Sequence, residues 1–119
     1  MKLKIHSVEG KGELAEECVW IDVLEATLDI NHYILCDTTF TAQNTVSNEL
    51  RHMFWLPNLK VREGDWIKVM TKAGVPTSVG NKRQTTTHIL YWNLGKTVWN
   101  KAGDAAILFH ADEWRTHQT

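Results

Sequence analysis

Histidine is the residue type in this chain that could support metal chemistry. The six histidines are His6, His32, His52, His88, His110 and His117. None of their spacings is the i, i+4 or His-x-His pattern that places two imidazoles on one metal ion. The closest cluster is His110–Glu113 with His117, which could offer two imidazoles and a carboxylate to zinc. Asp29–His32 could offer oxygen atoms to calcium, but an Asx-rich turn explains that segment better. We expect His110–Glu113 and His117 to belong to a solvated tail, and we expect no bound metal.

Nucleophilic catalysis requires a nucleophile, a base and a group that orients the base. The available nucleophiles are Ser7, Ser47, Ser78, Cys18 and Cys36. None lies in a Gly-x-Ser-x-Gly elbow, and the sequence has no glycine-rich phosphate loop. Paired carboxylates occur only at Glu16–Glu17 and Asp112–Glu113, where we expect solvent exposure. The sequence therefore predicts a protein without catalytic residues or a cofactor, and so not an enzyme.

The tryptophans give the clearest indication of binding. Strand alternation places Trp20 on the same face as Asp22, and Trp66 on the same face as Lys68. Aromatic rings beside charges on an exposed face can form a protein-interaction patch or a sugar-stacking platform. Alternatively, loops cover these rings and make them the rim of the core. The candidate binding residues are Trp20, Trp66, Lys68, Lys82 and Arg83.

Composition and charge restrict the class of protein. The chain has 119 residues, of which 43% are apolar, and its 13 basic and 14 acidic residues leave a net charge of -1. A basic excess is typical of nucleic-acid binding, so we do not expect a nucleic-acid partner. No apolar run approaches the ~20 residues that cross a bilayer, and the N-terminus does not read as a signal peptide. We expect one cytoplasmic domain over residues 1–119, in which 111–119 form a tail or a short last strand.

Hydrophobic residues alternate with a period of two, which predicts β-strands. The predicted strands are Leu3–Ser7, Cys18–Glu25, His32–Asp37, Leu50–Leu56, Trp66–Thr71, His88–Trp92 and Ala105–His110. Thr38–Asn48 and Ala73–Lys82 are predicted to be long loops, and Glu13–Glu17 has helical character. Seven short strands separated by turn signals predict an all-β, antiparallel sandwich.

The two cysteines lie on the second and third predicted strands. A hairpin around Thr27 would bring Cys18 and Cys36 near each other. The pair could then form a cross-strand disulfide in an exported protein, or remain two reduced thiols lining the core. The second alternative suits a cytoplasmic chain better.

The second half of the chain resembles the lamin tail domain family. Phe54–Val69 is similar to the family's F-P-x-x-L-x-x-G-x-x-v-x-v segment. Val98–Leu108, preceded by Trp92, is similar to the family's W…x-W-N-N-x-G-D-x-a-x-L segment. The most specific residues form one turn motif, Trp99, Asn100, Gly103 and Asp104. The chain departs from the family pattern at two places. Glu63 stands where the family commonly has proline, and Asp112–Glu113 stands where the family has an Asp-Gly turn.

The resemblance implies an immunoglobulin-like sandwich of about seven to nine strands that serves as an interaction module. We expect a non-catalytic domain that binds a protein partner or associates with itself, through an open sheet edge or through the two polar loops. A carbohydrate-binding module, with a glycan ligand, is the alternative. A small metal-dependent enzyme that uses the histidines is the second alternative.

Overall fold

The computed structural model describes residues 1–42, 45–99 and 103–119. Its strands are β1 (Leu3–Glu9), β2 (Cys18–Val23), β3 (Tyr33–Ala42), β4 (Thr45–Val46), β5 (Met53–Trp55), β6 (Trp66–Met70), β7 (Thr77–Gly80), β8 (Thr86–Tyr91) and β9 (Asp104–His110). A single-turn 3-10 helix, Ile30–His32, precedes β3. The all-β architecture expected from the alternating sequence is confirmed.

The strands form two sheets that pack into a sandwich. The five-stranded sheet has the order β1-β2-β6-β8-β7, and the four-stranded sheet is built on β3, with β4 and β5 along one edge and β9 along the other. Strand pairs are antiparallel except for β6 and β8, which run parallel. The purely antiparallel arrangement expected from the sequence therefore holds for every described pair but that one.

The core lies between the sheets and is almost entirely apolar. It is built from Leu3, Val19, Ile21, Val23, Ile30, Tyr33, Leu35, Leu56, Val61, Ile67, Val69, Leu90, Trp92, Val98 and Trp99. Alternate residues of β2 and β6 point into it, because successive side chains of a strand face opposite sides of the sheet. The residues between them therefore lie on the outer face of the five-stranded sheet.

Among the described residues three carboxylates are buried, those of Glu17, Asp37 and Asp65, and Glu17 is the least exposed of them. Glu17 is fully buried, and its Oε2 accepts hydrogen bonds from the Thr71 hydroxyl at 2.6 Å and the Val98 amide at 2.7 Å. Its Oε1 accepts from the amides of Gly12 and Trp99 at 3.3 and 3.2 Å. Glu17 thus joins three segments that are distant in sequence, and the exposure expected for it is wrong.

The two predicted loops contain strands. β3 continues to Ala42 and pairs with β4 inside the predicted loop Thr38–Asn48, and β7 occupies Thr77–Gly80 inside the predicted loop Ala73–Lys82. Polar threonines and serines fill these strands, so they lack the apolar alternation that marks a half-buried strand. The predicted strand Leu50–Leu56 is shorter in the structure, where only Met53–Trp55 is extended.

Two further expectations need correction. The segment Glu13–Glu17 forms turns rather than a helix. Cys18 and Cys36 are not neighbours across a hairpin, because β2 pairs with β1 and β6 whereas β3 belongs to the other sheet. Both thiols are free and buried. The expected turn at Gly64 is confirmed, since its φ of 85° lies in the left-handed region that favours glycine.

Candidate binding groove on the five-stranded sheet

The pairing of β2 with β6 brings the predicted tryptophans and charges together. In this antiparallel register Trp20 lies opposite Lys68, and Asp22 lies opposite Trp66. Because paired residues project from the same face, all four side chains lie on the outer face of the sheet. Each is half-buried. The sequence expectation that these faces are partly exposed is therefore confirmed.

The aromatic rings form an edge-to-face chain. The Trp20 and Trp66 centroids are 5.8 Å apart with an interplanar angle of 82°, and the His6 ring meets Trp66 at 5.0 Å and 75°. Edge-to-face pairs of aromatic side chains contribute about 0.5–1.5 kcal/mol beyond the area they bury. These contacts hold the Trp66 indole in one orientation at the surface.

Two cations cover the faces of the indole rings. The Lys68 ammonium lies 5.1 Å from the centroid of Trp20, and the Arg83 guanidinium lies 4.9 Å from that of Trp66. Both distances are within the ~6 Å at which a cation is attracted to an aromatic face. Arg83 also approaches Asp22 at 3.8 Å, so the guanidinium is held between a ring and a carboxylate.

The turn between β7 and β8 presents Lys82 and Arg83 to this surface. The Asn81 side-chain oxygen accepts hydrogen bonds from the amides of Arg83 and Thr85 at 3.0 and 3.1 Å, and its nitrogen donates to the Thr87 hydroxyl at 3.1 Å. Asparagine commonly closes turns in this way. The turn is thereby fixed in the position that places Arg83 over Trp66.

Together these residues line a shallow groove of about 390 Å³, called here the aromatic–cation groove. Its lining residues are His6, Glu9, Trp20, Trp66, Asn81, Lys82, Arg83 and Thr87. Lys68 lies beside it, stacked on Trp20. The structure therefore brings together all five predicted binding residues. The sequence did not indicate His6, Glu9, Asn81 or Thr87, because their positions depend on strand register and turn geometry.

Three residues of the predicted turn motif, Trp99, Gly103 and Asp104, belong to the part of the chain that the structure describes. Trp99 is buried and its amide donates to Glu17, whereas its indole N–H has no hydrogen-bond partner among the described residues. Gly103 has a φ of 79°, and Asp104 begins β9 and accepts from the Arg51 guanidinium at 3.1 Å. Asn100 lies outside the described residues.

The candidate metal ligands do not form a cluster. The described residues contain no group of three or more His, Cys, Asp or Glu side chains able to hold a metal ion. His110 meets Asp112 at 3.5 Å, and its ring stacks on Tyr33 at 4.8 Å. The Asp29 side chain accepts from the amides of Asn31 and Leu59 at 3.1 and 3.2 Å, which fits the predicted Asx turn.

A serine, a histidine and an aspartate form a hydrogen-bonded chain that the sequence did not indicate. The Ser78 hydroxyl lies 2.8 Å from Nδ1 of His88, and Nε2 of His88 lies 3.0 Å from the Asp65 carboxylate. The residues that line the aromatic–cation groove do not include Ser78 or His88. We interpret the chain as a structural link that ties the edge strand β7 through β8 to the turn before β6.

Asp65 is ionised in this link. Burial raises the pKa of the Asp65 carboxyl, but hydrogen bonds from the Arg62 amide, from His88 and from the Thr86 amide outweigh it. The net result is a pKa below the ordinary value for aspartate. A carboxylate held by several donors favours its charged form in this way.

Comparison with known proteins adds no relative to these observations. No family model, no curated protein and no solved structure matches the chain. The resemblance to the lamin tail domain family therefore stays a prediction. Among the described residues, the structure contains no helix of the length and apolarity needed to span a membrane.

Proposed function

We propose that this chain is a non-catalytic interaction module that binds a protein partner in the aromatic–cation groove. The observation that carries the proposal is the pair of half-buried indoles, Trp20 and Trp66, each with a cation against one ring face. Tryptophan and arginine dominate the binding energy of many protein interfaces. Tryptophan offers a large contact area with few rotatable bonds, and arginine offers a planar group of hydrogen-bond donors. The groove offers the tryptophans on two paired strands and the arginine on a turn that the Asn81 side chain closes.

The charges around the groove indicate the chemistry of the partner. Lys68, Lys82 and Arg83 bring three positive charges to a surface whose carboxylates are Glu9 and Asp22. The whole chain, in contrast, has a net charge of -1. An acidic peptide segment that also carries an apolar side chain would complement both the cations and the indole edges. We therefore propose an acidic, partly apolar segment of another protein as the ligand.

The same contacts make the glycan alternative less favourable. A sugar ring stacks on a free aromatic face, whereas Lys68 and Arg83 each occupy one face of the two indoles. The two rings are also nearly perpendicular, at 82°, so they do not form one flat platform. The resemblance to lamin tail domains, a family of interaction modules, supports a protein ligand, and we propose membership of that family on the same basis.

A peptide array tests the proposed function. The array should present acidic peptides with and without a leucine or phenylalanine, and neutral peptides of the same length. We expect acidic, apolar peptides to bind, with an affinity that falls as salt rises. Trp66→Ala should weaken binding by at least about tenfold, as expected for an aromatic hot spot. Arg83→Glu should weaken it through charge, with the exposed Lys96→Glu as the matched control.

Three outcomes would overturn the proposal. One is the absence of binding to any peptide, and another is equal binding by the wild type and the Trp66→Ala variant. The third is saturable binding to a neutral polysaccharide that Trp66→Ala abolishes, which would assign the groove to a glycan. Thermal melts of both groove variants are needed beside the binding data, because a large loss of stability would place Trp66 in the core.

A further inference from the structure

Both faces of the four-stranded sheet carry apolar residues where β3 pairs with β5, and the polar residues Asp37, Thr38 and Thr39 follow further along β3. Its inner face carries Tyr33, Leu35, Phe54, Ala106 and Leu108, which pack in or against the core. The residues between them project outward, because side chains alternate along a strand. The outward residues are Ile34, Cys36, Met53, Trp55, Ile107 and Phe109, and we call them the apolar sheet face. None of these six is charged.

An antiparallel sheet that faces water on one side normally alternates apolar and polar residues. The five-stranded sheet follows that rule, since Asp22 and Lys68 project from its outer face between core residues. The apolar sheet face does not follow it. Apolar residues on both sides of a sheet are the pattern of a sheet covered by a further layer.

Much of this face is open in the isolated chain. Met53 is 56% exposed, Trp55 50% and Phe109 37%. Trp114 extends the face, because its ring packs edge-on against Trp55 at 4.9 Å and remains 43% exposed. With Phe40, which is 50% exposed and lies further along β3, these side chains present about 500 Å² of apolar surface, the upper range for a monomer.

We propose that a second copy of this chain covers the apolar sheet face, so that two four-stranded sheets pack face to face. Two such patches would together bury about 1,000 Å², the lower limit for a specific interface and the range of weak, reversible association. The net charge of -1 gives little repulsion between copies. A two-fold axis through the middle of the face would place each patch on its own counterpart, as an isologous dimer requires.

Desolvation of the face would leave few polar groups unpaired. The indole N–H of Trp55 already donates to the carbonyl oxygen of Asn31. The Cys36 thiol is buried under its neighbours. Since no charged side chain belongs to the face, the dimer loses no hydration of ions there. The interface is distinct from the aromatic–cation groove, which lies on the other sheet and stays open in the dimer.

Sedimentation equilibrium of the full chain, from low micromolar to high micromolar concentration, tests this inference. We expect a reversible monomer–dimer equilibrium with a dissociation constant on the order of micromolar, given the modest area. Met53→Glu should place a charge inside the interface and weaken association by at least about a hundredfold. Val75→Glu is the matched control, because Val75 is 82% exposed and lies outside the face; it should associate like the wild type.

Oxidative footprinting of the wild type gives a second measurement that requires no variant. Oxidation of Met53 and Trp55 should slow as the concentration rises through the dissociation constant, whereas Met1, 63% exposed, should oxidise at an unchanged rate. A monomer at every concentration would overturn the inference and leave the face to a different protein. A dimer that Met53→Glu leaves intact, with no protection of Met53, would overturn it in favour of pairing between sheet edges.

Discussion

Replacement of Glu17 by glutamine should destabilise the fold, because the side chain is buried and its two oxygens accept four hydrogen bonds. The Oε2 atom accepts from both the Thr71 hydroxyl and the Val98 amide, and the side chain is fully buried. A glutamine would place its amide nitrogen against the Val98 amide in one orientation and against the Gly12 and Trp99 amides in the other, so at least one buried N–H loses its acceptor, whereas the Thr71 hydroxyl can turn to accept. A buried donor without a partner costs about 1–3 kcal/mol. Glu17→Gln should therefore lower the unfolding free energy by about 1–3 kcal/mol.

Urea denaturation at neutral pH measures this loss. The neighbouring Glu16 is exposed, so Glu16→Gln is a matched control and should change the unfolding free energy by less than about 0.5 kcal/mol. Thr71→Val removes the hydroxyl donor and should cost less than Glu17→Gln, because Val98 and Trp99 keep their acceptor. If Glu17→Gln were no more destabilising than Glu16→Gln, Glu17 would not join the three segments as described.

Three further predictions concern an ionised aspartate, the two buried thiols and a turn glycine. Because the pKa of Asp65 is lowered in the folded state, its ionised form stabilises the fold above the ordinary carboxyl pKa, and this contribution is lost as the pH falls below about 4. Between pH 7 and pH 3 the urea midpoint of Asp65→Asn should therefore fall less than that of the wild type. Burial raises the pKa of both cysteine thiols, so neither Cys18 nor Cys36 should react with a thiol reagent at pH 7 until denaturant is added, and rapid labelling of the folded protein would contradict that. Gly64→Ala should lower the unfolding free energy by roughly 1–2 kcal/mol because of the positive φ, and an unchanged urea midpoint would show that the turn can adjust.

The alternating segments of the sequence predict the fold well. Cys18–Val23 and Trp66–Met70 place every second residue in the core, so their period alone reveals both the strand and its buried face. The same alternation predicts that Trp20, Trp66 and Lys68 lie on the outer face of the sheet. Their positions relative to each other follow from the register of two adjacent strands, and the sequence gives no direct sign of that register.

The missed features depend on partners that are distant in sequence. β7 consists of exposed residues, and it extends because its backbone pairs with β8 rather than because its own side chains favour a strand. From the sequence, Glu17 is predicted to be one of two neighbouring exposed acids. Three of the groups that donate hydrogen bonds to its carboxylate lie 54 to 82 residues away. Such long-range hydrogen bonds leave no local pattern.

The two surfaces of the molecule differ in a way that bears on how it could work. The outer face of the five-stranded sheet carries both indoles and cations, a composition suited to reversible ligand binding. The apolar sheet face carries no charged residue, a composition suited to contact with a second copy of the chain. A dimer joined through the second face would present two aromatic–cation grooves on its opposite sides. Two linked grooves would bind a partner with repeated acidic segments more tightly than one groove could, provided that the spacing of the segments allowed both to be engaged.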